Sequence, residues 1–171
     1  MPATYEPIAT QTLGSAVGSV TFSSISGAYT DLILIMVAKS TGTYASLKVQ
    51  VGNGTIDTGT NYSQTNVSGS GSAASSARLT GNAFYDLCRV SGISSDGFGS
   101  YIVNFMNYAN TTTFKTFLDR TSLQNGTAGD GVEAIVGLWR SAVAINIITL
   151  TPGASNFAIG STFTLYGIKA A

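Results

Sequence analysis

Leu32-Ile33-Leu34-Ile35-Met36-Val37-Ala38 is the longest apolar run in the chain, and its length decides what it is. A membrane-spanning helix needs about 20 such residues, so this run is a strand. Successive strand side chains point to opposite faces, so a run apolar at every position is apolar on both sides. Such a strand belongs at the centre of a fold or at a subunit contact.

Strand signals spread outward from it. Leu47, Val49 and Val51 alternate with Lys48, Gln50 and Gly52, the pattern of a half-buried strand, and Gly52-Asn53-Gly54 then supplies a turn. Upstream, residues 17–22 carry a partly apolar face. Downstream, Tyr101, Val103 and Phe105 share one face, while Ile102, Met106 and Tyr108 bracket Asn104 on the other. Residues 114–123 and 131–139 read as strands flanking a turn region at 124–130 that contains Asn125-Gly126. Residues 143–150 and 161–168 complete the set, with Pro152-Gly153 as a turn between them. Residues 78–89 fit either a strand or a short helix, and 91–100 read as a loop.

The count comes to roughly nine to eleven strands with little helix. It predicts an all-β fold, an antiparallel two-sheet β-sandwich of jelly-roll-like type. No fixed period repeats, which disfavours a propeller or solenoid. A single domain over residues 1–171 is expected. Within it, residues 55–77, which include Ser68-Gly69-Ser70-Gly71-Ser72, predict a long Ser/Gly-rich loop. Residues 1–12, with Pro2 and Pro7, suit an extended N-terminal arm reaching a neighbour, or an edge strand.

Composition narrows the chemistry. Charged residues are 9% of the chain against a usual value of about 25%, hydrophobic residues are 44%, and 8 basic residues balance 8 acidic ones. A surface with so little charge suits a protein that associates, or one solvated by Ser, Thr, Asn and Gly. The first fifteen residues contain Glu6 and two prolines and no basic stretch, so a secretory signal is not expected. The five Asn-x-Ser/Thr sites, at Asn53, Asn61, Asn66, Asn110 and Asn125, then read as loop chemistry.

The chain has no histidine, so neither a Ser-His-Asp nor a Cys-His constellation can be built, and His-based metal sites go with them. Paired carboxylates are the surviving route to hydrolysis. Glu6, Asp31, Asp57, Asp86, Asp96, Asp119, Asp130 and Glu133 are the acids, and none forms a recognisable pair. Asp96, Asp119 and Asp130 lie in or near expected loops but lack the spacing of a calcium loop. Cys88 is the one cysteine; beside Leu87 it reads as packing, although Arg89 would favour its thiolate. Lys and Arg are dispersed, which argues against nucleic acid. Tyr29, Tyr44, Tyr62, Tyr108 and Trp139 could stack on sugars if exposed, or fill the core. No catalytic, cofactor or metal residue is assigned.

Three pieces carry a resemblance: Met1-Pro2-Ala3-Thr4-Tyr5-Glu6-Pro7-Ile8-Ala9-Thr10, then Tyr29-Thr30-Asp31-Leu32, then Gly137-Leu138-Trp139-Arg140-Ser141 with Ala144-Ile145-Asn146 and the closing Ser161-Thr162-Phe163-Thr164-Leu165-Tyr166-Gly167-Ile168. Together they resemble a family of small virion proteins of tailed bacteriophages, including cyanophages. The resemblance implies a non-catalytic protein of the virion exterior, made in the host cytoplasm. It would be a capsid decoration (cement) protein or a tail-fibre or appendage protein that binds a receptor or carbohydrate. The implied partners are further copies, as a homotrimer, and the major capsid protein or other virion proteins, with no nucleic acid and no membrane. No functional residue comes with the resemblance.

Overall fold

The computed structural model describes residues 4–42, 46–87, 97–123, 131–153 and 155–169. Among these residues every regular element is a strand. In chain order they are β1 (Tyr5–Thr12), β2 (Val20–Phe22), β3 (Asp31–Ala38), β4 (Leu47–Asn53), β5 (Thr55–Ile56), β6 (Tyr62–Gly69), β7 (Ala74–Asn82), β8 (Tyr85–Asp86), β9 (Gly99–Met106), β10 (Lys115–Leu123), β11 (Gly131–Trp139), β12 (Ile147–Pro152) and β13 (Thr162–Ile168).

They build two antiparallel sheets. The larger has eight strands in the order β1-β13-β3-β9-β10-β11-β6-β7; the smaller runs β2-β12-β4-β5, with β8 also pairing β4. Chain neighbours often lie in different sheets, so the chain repeatedly crosses the sandwich in jelly-roll-like fashion. The two-sheet reading of the sequence holds.

Alternation explains the core. Leu32, Leu34 and Met36 of β3, Phe105 of β9, Phe117 of β10 and Leu165 of β13 face Val49 and Val51 of β4 and Ile148 and Leu150 of β12, all buried. Burying each such side chain contributes about 1.5–3 kcal/mol. Phe117 meets Phe105 edge-on, with ring centroids 5.1 Å apart. β3 lies between β13 and β9, the central place that its apolar run demands.

Two expectations change. Residues 55–77 are largely strand rather than loop. β6 and β7 form a hairpin in continuous register from Ser63↔Thr80 to Gly69↔Ala74, closed by the Ser70 N–H donating to the Ala73 carbonyl at 3.0 Å. The pattern hides this because β6 turns Tyr62, Gln64 and Asn66 inward and Val67 outward, while β7 is an exposed edge. Residues 78–89 are strand through Asn82 and again at β8; Cys88 and Arg89 lie outside the described residues.

The N-terminal segment is not a free arm. Residues 5–12 pair with β13 as the edge of the larger sheet, and the register breaks between Pro7 and Ala9, where proline has no N–H to give. The Gly52-Asn53-Gly54 turn is as expected: a Cβ on Gly52 would stand 1.8 Å from the Thr55 carbonyl oxygen, and Gly54 has φ of +73°. The expected turn at 124–130, and most of the loop at 91–100, lie outside the described residues.

Candidate interaction face

The smaller sheet shows solvent a polar outer face. There, Thr21 and Thr149 hydroxyls lie 2.9 Å apart, and the Gln50 side-chain amide donates to the Ala83 carbonyl. The larger sheet does the opposite. Register aligns its outward residues in rows: Val37, Ser100, Ser122 and Val132; then Ile35, Ile102, Arg120, Ala134 and Val67; then Ile33, Asn104, Leu118, Val136 and Thr65. Leu118, Val136, Val67 and Val132 are 42%, 52%, 58% and 61% exposed. Thus the second apolar face of the 32–38 run is only partly covered: Ile33 is buried, and Ile35 and Val37 look out. With strands about 4.8 Å apart and outward residues about 7 Å apart along each, these five strands and three rows cover on the order of 500 Å².

Arg120 stands within this face, and the small side chains of Ser100, Ser122, Gly69 and Ala134 leave a hollow of about 530 Å³ beside it, walled by Ile102, Val67 and Val132. A second hollow, of about 800 Å³, lies among the loops near Asp57, Thr58, Ser141 and Trp139. Its carboxylate is already engaged. Asp57 accepts from the Trp139 indole N–H at 2.7 Å and from the Asn61 amide at 2.8 Å. Burial pushes its carboxyl up, but these bonds and one from the Gly59 N–H outweigh it and hold the group below its usual range.

The aromatic candidates for sugar stacking are in the interior. Tyr62, Tyr108 and Trp139 are buried, Tyr29 is half-buried with its ring against Gly167, and Tyr44 lies outside the described residues. The Tyr62 hydroxyl bonds the backbone of Val51 and Asp57, and burial raises its pKa. Asn66, read as a loop site, is also buried and donates to Glu133 at 3.1 Å.

Asp119 is not near a loop; it lies mid-strand in β10 and is fully buried. With Asp86 and Glu133 it forms an acidic layer between the sheets that the sequence pattern did not disclose, because the three come from β8, β10 and β11. Burial, above all, pushes the Asp119 carboxyl up to about 8; Glu133 and Asp86 add to it, and the bonds from Tyr85 and Thr121 oppose it. Asp96 and Asp130 lie outside the described residues. Among the described residues, no group of three or more His, Cys, Asp or Glu is placed to hold a metal ion. No helix among them is long and apolar enough to cross a membrane.

No family model matches the chain, and no curated protein does. Among solved structures, a toad ovary galectin in complex with thio-digalactose is similar at 10% identity and a TM-score of 0.42, over 88% of this chain and 99% of that one.

Proposed function

We propose that this chain is a non-catalytic virion structural protein that works by assembly, most simply as a capsid decoration protein contacting the major capsid protein and further copies of itself. The observation that carries the reading is the outer face of the eight-stranded sheet, where exposed aliphatic side chains lie in register over on the order of 500 Å², the scale of an apolar patch that marks an interaction site. The resemblance of the terminal segments to tailed-phage virion proteins supplies the setting. Sparse charge supports it too, since few ions need be desolvated when such a face is covered. Burial of Asp119 and Glu133 leaves the acidic layer without the open cleft that paired-carboxylate hydrolysis needs.

Mass spectrometry of purified particles tests this. A copy number in step with the capsid lattice is expected; one in step with a tail appendage moves the protein there, and its absence from particles ends the reading.

A further inference from the structure

We infer that the outer face of the larger sheet docks on a different protein, one presenting a carboxylate set among aliphatic side chains, and that Arg120 anchors it. This names the partner chemistry of the assembly surface proposed above and rests on that reading.

Lys39 and Lys48 lie over the rings of Phe98 and Phe84, and Lys115 donates to the carbonyls of Thr113 and Ala142. Arg140 donates to the Ser63 hydroxyl and the Thr60 carbonyl, and Lys169 pairs with Glu6 at 2.7 Å. Arg78 and Arg120 have no hydrogen bond, ion pair or ring contact among the described residues, and both are exposed. Both point outward from the same sheet. Arg120 is on β10 and Arg78 on β7, three strand spacings across and one outward position along, or about 16 Å apart.

The described acids are occupied or turned inward. Asp86, Asp119 and Glu133 are buried, Asp57 is bound by Trp139, and Glu6 by Lys169. Asp31, at the margin of the face, accepts from the Asn107 N–H. Among the described residues this face therefore shows two unpaired cations and no unengaged anion; Glu133, which borders the hollow, is buried and accepts from Asn66.

That distribution selects the occupant. A two-fold contact of the face with itself centred on this hollow would set Arg120 against its own copy across an apolar seam, and like charges so placed oppose association. A partner carboxylate entering the hollow would instead take a bidentate, charge-assisted bond from Arg120, strengthened as the aliphatic walls exclude water.

The test uses the whole chain and a strand-forming peptide with one Glu flanked by Val and Leu, against the same peptide carrying Gln. Methyl NMR follows Ile102, Val67 and Val132. The Glu peptide should shift these methyls and bind roughly tenfold or more tightly than the Gln peptide, and Arg120→Gln should abolish that preference while leaving the thermal midpoint unchanged. Equal binding of the two peptides, or no shift with the Glu peptide, overturns the inference. So does sedimentation showing a dimer of the wild-type chain that Val132→Glu dissociates. Absence of the protein from particles would sink the virion reading and leave these outcomes untouched.

Discussion

Tyr85 donates its hydroxyl proton to Asp119 Oδ2 at 2.7 Å, a buried bond that ties β8 of the smaller sheet to β10 of the larger. Asp119 Oδ1 has no hydrogen-bond partner among the described residues, so the interior accommodates a neutral acid better than an anion.

A pH dependence follows. An unfolded Asp titrates near 3.9, and in the fold Asp119 titrates at about 8. The folded chain thus binds the proton more tightly, and the stability this contributes is complete below about pH 4 and is lost as pH rises toward 8. Asp119→Asn should be close to wild type at pH 4 and more stable by a few kcal/mol, to order of magnitude, at pH 9. Urea midpoints of both proteins at the two pH values check this; parallel profiles would contradict it.

Gly137 packs against the Tyr85 ring. A Cβ there would lie 2.2 Å from Tyr85 Cε2, and the ring has little freedom while its hydroxyl is bonded to Asp119. Gly137→Ala should cost about 1–3 kcal/mol by overpacking. Thermal unfolding measures it, and an unchanged midpoint would show that the ring moves aside freely.

Asp57 titrates in the opposite sense. Held below its usual range by the Trp139, Asn61 and Gly59 donors, it contributes stability above about pH 4 that is lost as pH falls through its folded value. Asp57→Ala should cost about 1–2 kcal/mol at neutral pH, because it leaves the buried indole N–H without its acceptor. The cost should shrink in acid, and denaturant titration at pH 7 and pH 3 reads both.

How much of this was legible depended on which face a residue served. Leu47, Val49 and Val51 announce their strand because the smaller sheet has one wet face and one dry, the condition under which alternation appears. The 32–38 run announced a buried centre, but not that Ile35 and Val37 would be left looking out, since nothing local distinguishes a covered face from one awaiting a partner. The acidic layer was invisible because Asp86, Asp119 and Glu133 meet only through the pairing of distant strands. The 62–82 hairpin was hidden by Gln64 and Asn66 taking core positions, where side-chain hydrogen bonds replace apolar packing.

That hairpin can be checked directly. Hydrogen exchange on the free protein should protect alternate amides through residues 74–80, those facing β6, and leave the others fast. Uniformly fast exchange would restore the loop.

Hydroxyl-radical footprinting, read by mass spectrometry on purified particles beside the free protein, tests the central claim most directly. The proposal predicts that the protein is present and that Leu118, Val132, Val136 and Val67 are protected in the particle relative to the free chain, while the outer face of the smaller sheet is not. Particles without the protein, or an outer face oxidised as fast as in the free chain, would contradict it.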